Sequence, residues 1–145
     1  MGGRFNPIGV DALYLALSAE GALLEMANGF IRRFNPLTLC SYSVDLTDIF
    51  DLRTETVRLA MGVRLEDMAA PWDYIRLGGS APPPWGVARR LVEAGASGIL
   101  TPSFAKGARP DMANLVLWKW GPDLPHKVEV IDPEGRLPKD QSSWP

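Results

Sequence analysis

Gly2-Gly3-Arg4-Phe5-Asn6-Pro7, continued through Leu13-Tyr14-Leu15 into Ser18-Ala19-Glu20-Gly21-Ala22-Leu23-Leu24-Glu25, is the stretch on which the reading of this chain turns. It sets a guanidinium, a phenol and a carboxylate close together, each among apolar neighbours that ordinarily exclude charge. Read as chemistry, it is half of a catalytic pocket. Phe5 and the run Leu13 to Ala16 suit short strands, and Pro7, Gly9 and Asp11 between them are turn residues, so the pattern predicts a hairpin or tight corner. In a register whose paired residue numbers sum to about 18, Arg4 faces Tyr14 across it, within the reach of cross-strand neighbours. Ser18 is placed to cap a helix, with Glu20 in the favourable first turn. Leu23, Leu24, Ala27, Phe30, Ile31 and Phe34 then recur at helical spacing as one apolar stripe. Glu25 lies about two turns beyond Ser18 on the same side, bordering that stripe, where a partly buried carboxylate would sit. Taken singly, each residue has an ordinary structural role: a loop Arg is commonly solvated, a strand Tyr core, a helix Glu surface.

The chain has 145 residues, which fits one domain able to bury roughly two thirds of its unfolded surface. Hydrophobic residues make up 46% and charged residues 22%, the balance of an ordinary soluble globule. A formal charge of -2 argues against an electrostatic platform for nucleic acid, and Arg32-Arg33 and Arg89-Arg90 read as solvated helix faces. One cysteine, Cys40, excludes an internal disulfide, fits a reducing compartment and is expected in the core of an apolar strand. His126 is the sole histidine, so no His-based metal cluster can form and any Ser-His-Asp arrangement must use it; its place at the start of a late strand favours structure. The apolar run Ala12 to Ala19 is too short for a signal peptide, and no stretch approaches the roughly 18 apolar residues of a membrane span. The expected compartment is the cytoplasm.

Along the chain, Asn35-Pro36 ends the first helix, and Leu39 to Leu46 alternates as a half-buried strand. Asp45, Asp48 and Asp51 recur at three-residue spacing; acidic turn residues bracketing core side chains explain them better than a metal. Thr54 caps a short helix through Met61 that ends at Gly62. Residues 62 to 84, with Gly78-Gly79 and Pro82-Pro83-Pro84, read as an irregular flap around Trp72 and Tyr74. Pro84 starts the next helix, with Val87, Ala88, Leu91 and Val92 inward and Gly95 closing it. Gly98 to Thr101 is a buried strand, Ala105 to Ala113 a polar loop, and Asn114 to Trp120 and Lys127 to Ile131 two more strands. The folded domain is expected over 1–135, with a tail over 136–145 anchored by Trp144. No repeat or low-complexity block argues for a second domain.

Arg4 in Gly-Gly-Arg-Phe-Asn-Pro, Glu25 in Leu-Leu-Glu-Met and Ser103 in Thr-Pro-Ser-Phe form a set that resembles the RES domain, named after Arg, Glu and Ser and found in toxins of bacterial toxin-antitoxin pairs. Leu13-Tyr14, Trp72 and Asn114-Leu115-Val116-Leu117 add to the likeness, which runs over nearly all of residues 2 to 132. The resemblance implies a compact α/β (α+β) fold similar to ADP-ribosyltransferases, a single domain with a small central mixed or antiparallel sheet flanked by helices. It also implies an enzyme that cleaves the nicotinamide glycosidic bond of NAD, used as a substrate without a metal. ADP-ribose then passes to a protein, or to water or phosphate. The implied partner is a helix-turn-helix antitoxin whose C-terminal tail occludes the pocket, so that DNA contact belongs to the antitoxin. Relatives carry a longer lead-in before the Gly-Gly-Arg motif, with a further Arg; here the motif opens at Gly2, which implies a short homologue or a trimmed start.

Cleaving this bond passes through an oxocarbenium-like transition state. By that resemblance Arg4, Tyr14 and Glu25 are the expected catalytic residues, and Gly3, Arg4, Tyr14, Ser103 and Asn114 the expected NAD-binding residues. Glu25 would hold a ribose hydroxyl and stabilise positive charge. Arg4 offers a planar fork of donors to pyrophosphate or ribose-phosphate, with Gly3 letting backbone approach closely. Tyr14 would stack on the nicotinamide ring, while Ser103 and Asn114 orient the substrate. Nicotinamide leaves as a neutral base, so neither a metal nor a general acid is called for. Two other classes compete: a non-catalytic binding protein, and a nuclease-type toxin, against which the acidic charge and the lone His126 speak.

Overall fold

The structure, a computed structural model, describes residues 2–30 and 37–138. In chain order the elements are β1 (Leu13–Ala16), α1 (Ala19–Phe30), β2 (Tyr42–Leu46), β3 (Ile49–Asp51), α2 (Glu55–Ala60), α3 (Leu65–Ala69), α4 (Trp72–Leu77), α5 (Pro83–Glu93), β4 (Gly98–Pro102), β5 (Ala113–Leu117) and β6 (His126–Val130). The fold is α+β, as the sequence implies. Four strands form a mixed sheet in the order β1-β5-β4-β3, and β2 pairs with β6 in a separate two-stranded ribbon. Only β3 and β4 run parallel, and α2 to α5 supply the long crossover that a parallel pair requires.

Register decides what the sheet presents. Tyr14 stands opposite Val116, Val116 opposite Ile99, and Ile99 opposite Phe50, so these four share one face. One step along, Ala16, Asn114 and Thr101 line up on that same face. Ile99 and Val116 pack with Phe5, Leu52, Met68, Val87 and Leu91 into the core. Leu91, fully buried on α5, is the type of side chain whose truncation to Ala costs about 2 to 5 kcal/mol. Pro83 and Pro84 open α5 where their missing N–H groups cost nothing, and Gly95 ends it at φ +95°.

Three expectations fail here. Phe5 is not in a strand: Gly3 N donates to Asn6 O at 2.9 Å and closes a tight turn, so no Arg4–Tyr14 hairpin forms and β1 pairs with β5 instead. Turn chemistry in Gly-Gly-Arg-Phe-Asn overrides the strand preference of Phe5. The segment from 62 to 84 is not irregular, because it contains α3 and α4. Arg64 pairs with Asp67 and Arg76 with Asp73 at helical spacing, and Met68 is fully buried, signals masked by the surrounding Gly and Pro. The strand expected over Leu39 to Leu46 begins only at Tyr42, and Cys40 is half-buried outside it rather than in the core.

Other boundaries shift less. β5 ends at Leu117, short of Trp120, and β6 starts at His126. Thr54 sits at the start of α2 but turns its hydroxyl back to Asp51 O, giving no side-chain cap. Asp45, Asp48 and Asp51 serve separate elements; among the described residues no group of three or more His, Cys, Asp or Glu side chains could hold a metal. No helix among them is long and apolar enough to cross a membrane. Ile31 to Pro36 and Trp144 lie outside the described residues.

Candidate active site

The first helix is capped as its sequence predicts: Gly21 N donates to Ser18 Oγ at 3.0 Å and Ala22 N to Ser18 O at 3.0 Å. That fixes the phase of α1 and so the direction of Glu25. Glu25 Oε1 accepts from Ser103 Oγ at 2.6 Å and from Asn114 Nδ2 at 2.7 Å. Ser103 is itself pinned beyond β4, its N–H donating to Met112 O at 3.0 Å. Asn114 lies within β5, between Ala16 and Thr101. Among the described residues both bonds to Glu25 fall on Oε1. The rest of α1 is tied to the same β4–β5 loop. Asn28 and Lys106 exchange side-chain and backbone bonds at 3.2 Å, and Arg109 donates to Glu20 Oε1 at 2.6 Å. The hydrogen bond from Arg109 lowers the pKa of the Glu20 carboxyl, although so exposed a pair adds little stability.

Arg4 enters from the N-terminal turn. Its Nη1 donates to Met68 O at 3.0 Å and Ala70 O at 2.7 Å, across the end of α3, and its guanidinium lies 5.1 Å over the Phe104 ring. Phe104 follows Ser103, so a single tripeptide, Pro102-Ser103-Phe104, touches both the carboxylate and the cation. Burial depresses the Arg4 pKa, and the negative charge of the Glu25 carboxylate opposes that shift. The Arg4 head keeps Nε and Nη2 without bonds among the described residues.

Tyr14 reaches the turn in place of the missing hairpin. Phe5 N donates to the Tyr14 hydroxyl at 2.9 Å, and that hydroxyl donates to Asn6 Oδ1 at 2.6 Å. The hydroxyl is enclosed, yet the residue as a whole stays 42% exposed, which leaves the ring open to a ligand. Burial pushes the phenol pKa up to about 12, against the opposing pull of the Phe5 N–H and the Arg4 charge. Two indoles also hold the turn: Trp85 Nε1 donates to Gly3 O at 2.8 Å and Trp118 Nε1 to Phe5 O at 2.9 Å. A Cβ on Gly3 would stand 2.6 Å from Asn6 Oδ1 and 2.7 Å from the Tyr14 hydroxyl, so a side chain there would push that pair apart.

Arg4, Tyr14, Glu25, Ser103 and Asn114 are thus brought into one neighbourhood, with Gly3 as the tight point of the turn. Four residues of this arrangement had no role assigned from sequence: Asn6, Phe104, Trp85 and Trp118. Asn6 and Phe104 lay inside the motifs, one two residues past Arg4 and the other next to Ser103; Trp85, just after a proline run, carried a usable signal as the first aromatic of a helix. A model of the RES domain matches residues 1–140. The chain belongs to the RES-domain family. Comparison with curated proteins and with solved structures returns no match. Membership gives this RES-domain protein, at the coarse level, a toxin-type role acting on NAD. The match also runs past residue 135, where the folded domain is expected to end.

Proposed function

We propose that this RES-domain protein cleaves the bond between ribose and nicotinamide in NAD and transfers the ADP-ribosyl group to a protein, as the toxin of a toxin-antitoxin pair. The observation that carries the reading is a Glu25 carboxylate held by Ser103 and Asn114 beside an Arg4 guanidinium packed on Phe104. In the reaction the C1′–N bond breaks and its electron pair leaves with nicotinamide, neutralising the pyridinium. The ribosyl cation is then captured by a nucleophile of the acceptor, whose proton passes to solvent. Glu25 stabilises the oxocarbenium-like charge, with Oε1 restrained by two donors and Oε2 available to a ribose hydroxyl.

The residues fit the dinucleotide in charge. Nε and Nη2 of Arg4, unbonded among the described residues, form a fork suited to pyrophosphate oxygens, and an anion there would offset the cost of a buried cation. The open Tyr14 ring suits the cationic pyridinium, which an aromatic face attracts. The partner in this reading is a helix-turn-helix antitoxin that covers the open site, keeping the activity silent until it is lost.

The test incubates the purified protein with NAD, alone, with phosphate, or with cell extract, and measures nicotinamide. Release that Glu25→Ala abolishes supports the enzyme; no release under any condition sinks it. Labelled extract protein selects transfer, whereas free ADP-ribose or its phosphorylated form selects water or phosphate as acceptor and turns the protein into an NAD-depleting enzyme. Toxicity that persists in Arg4→Ala and Glu25→Ala would instead favour a non-catalytic binding protein.

A further inference from the structure

We infer that Asn6 is a positioning residue for Tyr14, accepting a hydrogen bond from the phenol so that the ring face, and not the hydroxyl, is what a planar ligand meets. Val10 O can only accept. Asn6 Nδ2 lies 2.7 Å from it, so the amide nitrogen must point there and Oδ1 must point to Tyr14. Oδ1 in turn can only accept, so the phenol must donate to it. The Phe5 N–H then fills a lone pair of the same hydroxyl at 2.9 Å. With its proton committed and one lone pair taken, the Tyr14 hydroxyl is unfitted for acid or base work. Asn6 is buried, at 4% exposure, so water does not compete for the bond. Gly3 completes the device, since any side chain there would intrude between the two partners. What the open ring binds, a pyridinium, rests on the NAD reading; the Asn6–Tyr14 coupling does not.

The experiment therefore carries one readout without NAD and one with it. In the unaltered protein, proton NMR should find the Tyr14 hydroxyl as a slowly exchanging resonance, assigned by its loss in Tyr14→Phe. Asn6→Ala should then lower the Tyr14 titration, followed by ultraviolet absorbance as the difference from Tyr14→Phe, because the bond from the neutral phenol to Asn6 Oδ1 is lost. Gly3→Ala should move it in the same direction from the backbone side. With NAD, Asn6→Ala and Tyr14→Phe should each raise KM about tenfold with a smaller change in kcat, and the double variant should be no worse than either. A fast-exchanging hydroxyl, an unmoved titration, additive effects on KM, or a loss confined to kcat would each overturn the inference. Should the unaltered protein release no nicotinamide while Tyr14 titrates as described, the NAD reading falls and the coupling stands.

Discussion

The two ends of β5 make opposite uses of polar side chains. At its start, Asn114 joins Ser103 on Glu25, with Arg4 and Tyr14 alongside. Past its end, about 14 Å along the strand, Trp118 lines an open cleft of about 560 Å³ shared with Asp11, Trp120, Asp123 and His126. The cleft has the volume, but its polar groups do not converge: the Trp118 indole is committed to Phe5 O, and His126 Nε2 is buried without a hydrogen-bond partner among the described residues. The first end suits the proposed chemistry, because segments far apart in sequence each contribute one charged or hydrogen-bonding group whose direction another segment fixes. The proposed function follows convergence rather than empty space.

Breaking the first end should have the largest effect. Glu25→Gln keeps shape and the Asn114 and Ser103 neighbours but removes the charge that, in the proposed reaction, meets the oxocarbenium ion. Nicotinamide release should fall about 100- to 1,000-fold with thermal stability nearly unchanged, the scale of losing one electrostatic stabiliser. A loss under tenfold would move the chemistry away from this carboxylate. Arg4→Lys comes next. A lysine cannot reproduce the bifurcated grip on Met68 O and Ala70 O while presenting two further donors, so KM for NAD should rise more than kcat falls. An unchanged KM would show that Arg4 serves only the fold.

Trp85→Phe tests the support behind that end and should be milder. It removes one bond, to Gly3 O, worth about 1 kcal/mol, and leaves the ring packed. Release should fall several-fold and the unfolding midpoint should drop by a few degrees; equal activity to the unaltered protein would mean that the turn holds without it. A pH series sharpens the same point. The Tyr14 phenol is held protonated above its unfolded value, so its stability contribution is complete below about pH 10 and is lost as the pH climbs through about 12. Tyr14→Phe should flatten that part of the stability curve.

How much of this was legible beforehand depended on the range of the interaction that decides each element. The cap at Ser18, the start of α5 at the proline run and the strand at Gly98 rest on local rules, and each is found. The residues Arg4, Glu25 and Ser103 were recognisable as a set through a family pattern, not through spacing. What escaped was settled by distant partners. Phe5 leaves the strand state because the core takes its ring and two indoles take the carbonyls of its turn, contacts spanning 82 and 113 positions that no local window contains. The same holds for α3, which is too short for periodicity to announce and is anchored by Met68 in the core.

The smallest effect is expected at the far end of β5, and it is the one that tests the comparison itself. His126 opens β6, and its Nε2 stands 3.9 Å from Asp48 Oδ2, beyond a hydrogen bond. A buried nitrogen without a partner is a cost that the fold carries, so replacing the ring with an apolar one of similar width should be neutral or slightly stabilising. His126→Phe should leave nicotinamide release within about twofold, since nothing near Glu25 depends on it, and should shift unfolding by less than about 1 kcal/mol. Were release instead to collapse while the protein stayed folded, the only histidine would be part of the chemistry. The cleft past β5 would then be an extension of the site rather than its contrast.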